Sequence, residues 1–525
     1  MKKPNLTILT ACLLAVAATA HAATTAKPTA AAPAKSTPAA SPASSTAQTA
    51  AAATPQSTSI AQPTAVTISV TVQASNGSQN SSSATTRFSL TLPAVTSSAT
   101  GSTASIAATS SSASGSTASG SSASTSISST ESSNPPQLAA AGPTPPAVPS
   151  GPIVITTGGS YTGNYLSSDP HTPAVTIATA QPVLLLNCII QSQGNLIQIT
   201  VDNTQLSIQN CTATGLNPNV AGVPVGQFLE ADNVASLDVE HNAIVNCGGY
   251  ALHVKGFTGT GGNTIKILYN TIANTNGKFS DGHGGYQTTG TPTPHAIILD
   301  TVISVPGAEI GWNQITNTPG QSYVNDIINI YDSSGTSDLP ILVHDNFIQG
   351  LYAIDPATQY DSGCGIITDG QTAQETAFVK ITNNDVVATG NAGIGIAAGH
   401  DILVSNNRCL CSGLLPDGSP FFAVNVGIYG WDQMQGGTPA TFFNNAIVNN
   451  TAGWVQAANT NSNNTATARQ NNFWLPDVPD AMAFGNNPWP APPNPEAESK
   501  ELADWQLRLA ASNLTVGPPS TQASN

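Results

Sequence analysis

Charged residues make up only 8% of this 525-residue chain, yet five polar side chains recur at one position of a repeating segment: Asp232, Lys255, Asp300, Tyr331 and Asp369. Each follows a pair of residues spaced by two: Leu229/Ala231, Leu252/Val254, Ile297/Leu299, Ile328/Ile330 and Ile366/Thr368. Such alternation describes a strand with one buried face. The inward pairs then assign two outward rows. The first is Gln198, Glu230, His253, Ile298, Asn329, Ile367, Gly395 and Tyr429; the second is Thr200, Asp232, Lys255, Asp300, Tyr331, Asp369, Ala397 and Trp431. A slip of one residue would bury several charges, so the register is self-checking.

Neighbouring strands lie about 4.8 Å apart, which sets Asp300 and Asp369, two strands apart, at roughly 10 Å along the backbone. Side chains can bring two such carboxyls into the range of inverting glycoside hydrolysis. The candidate catalytic residues are therefore Asp300, Asp369, Lys255, Asp232 and His253. Glu230, Tyr331, Tyr429, Trp431 and the loop residue His283 are candidate substrate contacts. A competing reading is a cross-strand ion ladder that keeps an exposed sheet soluble.

The element that must position these residues is an eight-residue phrase: apolar, any, apolar, any, any, Asn, any, apolar. It is clearest as I-K-I-L-Y-N-T-I at 265–272. Its Asn slot is filled by Asn242, Asn270, Asn313, Asn346, Asn384, Asn407 and Asn445, and two earlier copies carry Cys188 and Cys211 there. Two short strands meet at the Asn, which tolerates left-handed backbone angles at such a bend. Slots are separated by 23 residues (Cys188 to Cys211) up to 43 (Asn270 to Asn313). Fixed strands with variable gaps are the mark of a solenoid that takes insertions in its loops. Stacked Asn amides can bond from coil to coil.

The phrase resembles the repeat of the right-handed parallel β-helix proteins of the pectate-lyase-like superfamily. The resemblance covers residues 151–457 and implies an all-β, right-handed parallel β-helix of about nine to ten coils. It does not fix a reaction. Gly282-His283-Gly284 resembles a polygalacturonase motif, but the other motifs of those enzymes are absent. Asp169-Pro170-His171 resembles a motif of β-helix alginate epimerases, at the wrong end of the repeat array. Pectate lyases use an arginine on the helix surface; here Arg408, the sole arginine of 151–457, stands beside the Asn bend. A lyase would have to use Lys255 or Lys278, with His253, His283 or Tyr331 as proton donor.

The ends read differently. Residues 1–22 have the charged start, apolar run and Ala-His-Ala cleavage site of a secretory signal, and the residues before Cys12 also resemble a lipoprotein box. Residues 23–150, rich in Ala, Ser, Thr and Pro, lack the apolar content for a core, apart from two alternating runs within 66–92 that fit a hairpin. Mild proteolysis should remove this segment and leave a resistant fragment starting near Gly151; resistance of the whole segment would reveal an unrecognised domain. In 458–525, residues 495–509 read as a helix with Asn494 as cap and Pro495 in the first turn, expected to cover the last coil. The net charge of −15 disfavours nucleic acid and anionic membranes. No stretch is apolar enough to span a bilayer. Export permits disulfides, and Cys188 and Cys211 are either bridged or two buried thiols. No cofactor is expected, and a calcium requirement is left open.

These features point to an exported bacterial protein, monomeric, secreted or periplasmic, that binds and cleaves a polysaccharide in a surface groove. Hydrolysis is preferred to lyase chemistry because carboxylates outnumber basic groups. The alternative is a non-enzymatic adhesive solenoid with residues 23–150 as its stalk.

Overall fold

The computed structural model describes residues 65–72, 84–91, 148–359, 362–371, 376–422, 424–434, 441–456, 469–470 and 472–519. Residues 1–22, expected to be a signal, and most of the low-complexity segment lie outside these residues. Within that segment Ala65–Val72 pairs antiparallel with Ala84–Thr91, forming a unit of its own.

From Ile153 onward the chain winds through three stacked sheets. Each coil contributes one strand to sheet 1, bends at the Asn slot, adds a strand to sheet 2, passes through a loop and adds a strand to sheet 3. Sheet 1 has ten strands, from Gly159–Tyr161 to Ala446–Val448. Sheet 2 runs from Asn164–Ser167 to Thr451–Gln456, with Arg469–Gln470 and Asn487–Pro488 added beside its last strand. Sheet 3 has eleven strands, from Ile153–Ile155 to Phe473–Trp474. Apart from the edge pair Val455–Gln470, Gln456–Arg469, neighbours in these sheets are parallel. This is the expected all-β parallel β-helix. It is longer than the phrase indicated, because Phe473–Trp474 pairs with Val426–Gly430 and carries the stack beyond residue 457.

The core is a set of aliphatic columns. Ile197, Leu229, Leu252, Ile297, Ile328, Ile366, Ile394 and Ile428 are all completely buried, one above another. The Asn side chains form a second column at the corner. Asn242 Nδ2 donates to Asn270 Oδ1, Asn270 to Asn313, Asn313 to Asn346, Asn346 to Asn384 and Asn384 to Asn407, each at 2.9–3.0 Å. Each Nδ2 also donates to a carbonyl of the coil below, as Asn346 does to Ile310.

Two expectations about this column need correction. Asn407 is followed by Asn450 and then Asn486, not by Asn445. The sheet pairs Val404 with Ile447, so Asn445 stands in the first apolar slot of its coil, where it accepts from the Ile402 N–H and donates to the Gly399 carbonyl. Both frames read Asn-Asn followed by an apolar residue two positions on, and only the pairing distinguishes them. Nor is the ladder Asn the left-handed residue. Positive φ belongs to the residue before it: His241, Tyr269, Trp312, Asp345, Asn383, Asn406 and Asn449 at 53–58°. The ladder position is selected by its side-chain amide instead. Cys188 and Cys211 occupy the same column as free thiols, with Cys211 Sγ accepting the Cys188 N–H at 3.3 Å.

Replacing a mid-column amide should therefore cost more than its small size implies. Asn346→Ala orphans the Asn313 N–H and the Ile310 carbonyl, and each buried group left unpaired costs about 1–3 kcal/mol. We expect a loss of about 2–3 kcal/mol in equilibrium unfolding; a change below about 0.5 kcal/mol, as at an ordinary surface site, would show the ladder to be ornamental.

The C-terminal helix, α1 (Pro495–Ala511), has the expected cap, with Asn494 Oδ1 accepting from the Ala497 N–H at 2.8 Å. It does not cover the last coil. It lies along the side of sheet 2, where Trp505 and Leu509 pack with Phe347, Val387 and Ala388. The end of the stack is instead closed by residues 472–489, with Val478 packed against Gly430. Sheet 2 attracts the helix because Phe347, Val387 and Leu410 are apolar and buried on it, while Arg408 reaches Glu501 at 2.7 and 2.8 Å.

Candidate functional site

Sheet 3 carries both outward rows in the expected register. Glu230 pairs with His253, Asp232 with Lys255, Lys255 with Asp300, Asp300 with Tyr331, and Tyr331 with Asp369. The five residues Asp232, Lys255, Asp300, Tyr331 and Asp369 thus form one line across successive coils. Its character changes along its length. Asp232 and Lys255 are exposed, whereas Asp300, Tyr331 and Asp369 are half-buried. In the adjacent row Ile298, Asn329 and Ile367 are buried although they leave the core, so the middle of the face is covered rather than open.

The carboxyls of the line occupy contrasting environments. Burial alone would raise the Asp300 carboxyl, but the His253 hydrogen bond at 3.3 Å and the charges of His253 and Lys255 outweigh it and hold it below its ordinary value. Asp369 goes the other way. Burial pushes it up to about 6, and the neighbouring Asp332 adds to the shift, against the pull of the Gly370 N–H and the Gln433 amide. Tyr331, between them, is raised to about 12 by burial and by Asp332, Asp369 and Asp300, so it remains a phenol at neutral pH.

Other groups converge on the line that alternation did not disclose. Tyr250, His295 and Asp326 form a third column on the same strands. The Tyr250 ring lies 5.0 Å from that of His253 and stacks on His295 at 5.1 Å. His295 is buried, 3.3 Å from Asp326, and burial drives its pKa down to about 3, so it is neutral. Asp326 accepts from the Cys364 N–H at 2.8 Å and from Asn329 at 3.2 Å. Residues 250 and 253 share a face only because strict alternation breaks between them, which is why sequence reasoning missed this column. Gln433, in the turn after sheet 3, was also missed; no periodic signal marks a loop residue.

The candidate substrate contacts divide. Glu230 is fixed by the amides of Asn195 at 2.8 Å and Gln198 at 3.1 Å. Tyr429 and Trp431 join Trp474 in an aromatic cluster, with ring centroids 6.4 Å (Tyr429–Trp474) and 5.8 Å (Trp431–Trp474) apart. Tyr429 folds over Gly395, where a Cβ would come within 2.4 Å of the ring. His283 does not join the line. It is exposed at the tip of the hairpin Lys278–Ser280/Tyr286–Gly290, which leans on the loop before sheet 3 through Asn217–Gly285 and Phe279–Pro224. Lys278 is buried and donates to the Gly320 carbonyl; it ties the wall together and is no candidate for proton transfer to a substrate.

Among the described residues no group of three or more His, Cys, Asp or Glu is placed to hold a metal ion, and no helix is long and apolar enough to cross a membrane.

The raised carboxyls give a stability signature. Asp369 and Asp385, both raised to about 6 chiefly by burial, bind more protons folded than unfolded between an ordinary carboxylate value of about 4 and their folded value. Their contribution is thus fully present at low pH and is lost as pH rises to about 6. His344, raised to about 9 by Asp345 and Glu309 against its burial, also favours the folded state below its unfolded value, about 6.5, and loses that effect as pH rises further. His295, lowered to about 3 by burial, works the other way, gaining stability as pH rises to about 6.5. Glu240, raised to about 8 chiefly by burial, adds to the first set. The melting temperature should therefore be higher near pH 5 than at pH 8, and the reverse order would contradict these assignments.

No protein-family model matches the chain, and no curated protein matches it. Among solved structures, one that the chain is similar to is alginate lyase AlyF-OU02 in complex with G6, at 13% identity and a TM-score of 0.27, over 61% of this chain and 66% of that one. Another is a mannuronic acid-specific polysaccharide family 6 lyase from human gut microbiota, at 12% identity and a TM-score of 0.31, over 72% of this chain and 91% of that one. The chain thus spans just under two thirds of the first of these. At such values the likeness carries no argument about this chain.

Proposed function

We propose that this is an exported polysaccharide-cleaving enzyme whose active centre is the Asp300–Asp369 stretch of sheet 3, acting by hydrolysis. The observation that carries the reading is the divergence of two carboxyls on one line: Asp300 held ionised beside His253, and Asp369 raised to about 6. Two carboxyls with opposite environments are the requirement for paired acid and base. Asp369 donates its proton to the departing glycosidic oxygen. Asp300, oriented by His253, accepts a proton from the attacking water on the other face of the ring. Their two-strand separation, roughly 10 Å at the backbone, suits the inverting geometry. The Tyr429/Trp431/Trp474 cluster offers stacking surface to sugar rings further along the stack. Lys255 is the one cation on the line, which leaves little to neutralise the uronate carboxylate a lyase must polarise.

A polysaccharide panel separates the outcomes. New reducing ends without absorbance from unsaturated sugars support hydrolysis. Unsaturated products would replace it with lyase chemistry, and absence of cleavage across neutral and acidic polymers would favour the adhesive solenoid. With a substrate in hand, activity should fall as pH rises through about 6, as Asp369 loses its proton; a rate that stays flat from pH 5 to 8 excludes Asp369 as the acid.

A further inference from the structure

Gln433 lies in the turn that follows the sheet 3 strand Val426–Gly430, and its side chain reaches back to Asp369, two strands away. The turn is fixed to the coil below it. The Trp431 N–H donates to the Ile396 carbonyl and the Gln433 N–H to the Ala397 carbonyl, each at 3.0 Å. The Asp432 N–H donates to Asp477 Oδ2 at 2.9 Å, and Asp432 Oδ1 accepts from the Met434 N–H at 3.0 Å. The intervening strand Ala392–Ile396 is followed by Ala397 and Ala398, short side chains that leave Gln433 room to cross. Gln433 Nε2 donates to Asp369 Oδ1 and also faces the Gly370 carbonyl at 3.4 Å. Both atoms are acceptors, which fixes the orientation of the amide. The Gly370 N–H donates to the same Asp369 Oδ1 at 2.8 Å.

Two donors on one oxygen decide where the carboxyl proton sits. An oxygen that accepts two N–H groups has both lone pairs engaged, so protonating Oδ1 would break one of these bonds. Oδ2 carries the proton instead. We infer that Gln433 is a positioning residue for the proposed reaction: by holding Oδ1, it makes Oδ2 the oxygen that donates to the departing glycosidic oxygen. The inference rests on the reading of Asp369 as the general acid. Gln433 also moderates that acid. A donor to Oδ1 favours the carboxylate, against the burial and the charge of Asp332 that raise Asp369 to about 6. Of the other groups that face Asp369, Asn329 is an amide, and the phenols of Tyr331 and Tyr429 are raised by burial and stay neutral. The turn that carries Gln433 also carries Trp431, so the partner of the acid and part of the stacking surface are built into one segment.

The experiment uses the full-length protein, isotope-labelled for NMR at the aspartate side-chain carboxyl carbons, with Asp369 identified by the resonance that Asp369→Asn removes. Gln433→Leu, which keeps the bulk and loses the donor, should raise the titration midpoint of Asp369 by about one unit. Gln433→Glu, which adds a charge as well, should raise it further, and either variant suffices if the other misfolds. On a cleaved polymer, the alkaline limb of the pH–rate profile should move by the same amount as the midpoint in each variant. At pH 5, where Asp369 is mostly protonated in all of them, kcat should still fall about 10–10²-fold with KM unchanged, because the acid oxygen is misdirected. A turn that serves only structure would move neither the midpoint nor the limb. An unmoved midpoint, or a kcat at pH 5 equal to that of the wild type, overturns the role of Gln433. Should that happen while Asp369→Asn still lowers cleavage, the hydrolytic reading stands and the inference alone falls. If Asp369→Asn cleaves as well as the wild type, or no polymer is cleaved at all, both fall.

Discussion

Asp300→Asn should lower the turnover of a confirmed substrate by about 10²–10⁴-fold, the usual contribution of a positioned general base, while leaving substrate affinity and the folded structure nearly unchanged. The carboxylate is half-buried on the outer face of sheet 3, its side chain 21% exposed. An isosteric amide therefore removes a charge without opening a cavity. It also retains an oxygen 3.3 Å from His253 Nε2. Asp369→Asn should show a comparable fall, but with a different pH signature: residual activity would lose its dependence on pH near 6, because the group that titrates there is gone. The discriminating result is the split between activity and stability. If Asp300→Asn lowers the melting temperature and leaves turnover intact, the line is an ion ladder and the chemistry lies elsewhere.

The register of sheet 3 was legible because charge is so sparse in this chain. Asp232, Lys255, Asp300 and Asp369 can all face outward in only one alignment, and the observed pairing is that alignment. The Asn column was legible for a related reason, since a buried amide must be partnered in every coil and so recurs. Its frame failed at Asn445, where two adjacent Asn-Asn pairs compete for the same slot and only sheet pairing decides. Tyr250, His295 and Asp326 lay beyond reach because the two-residue period is interrupted upstream of the inward pair. Gln433 lay beyond reach because it stands in a turn, where no period marks it. What periodicity encodes was readable; what loops bring together was not.

The placement of α1 shows the same division, and it carries the largest stability prediction. An apolar stripe of Leu502, Trp505 and Leu509 announces that the helix must be covered, but not by what. Its docking site was nonetheless written into sheet 2, where Phe347 and Val387 stand at outward positions that other coils fill with Thr271, Gln314 or Thr316. Trp505 is the centre of the contact: fully buried, 5.8 Å from the Phe347 ring, its indole N–H donating to the Asp345 carbonyl at 2.7 Å. Around it lie the charged pairs Arg408–Glu501 and Arg508–Asp385, and Glu498 accepts the Ser412 N–H. Trp505→Ala should cost about 3–5 kcal/mol of docking free energy, as for other large aromatic truncations. Because the solenoid core closes without α1, that loss should appear as local opening and not as global unfolding. Amide exchange across Pro495–Ala511 should accelerate by about 10²–10⁴-fold, each 1.4 kcal/mol being tenfold, while the strands at Ile341–His344 and Cys364–Asp369 keep their protection. Trp505→Phe should recover most of the protection, since it keeps the ring contact and loses one hydrogen bond worth about 1 kcal/mol. If Trp505→Ala instead deprotects the sheet strands together with the helix, α1 is part of the folding unit of the solenoid; if it deprotects neither, the helix is held by its ion pairs and the buried indole is incidental.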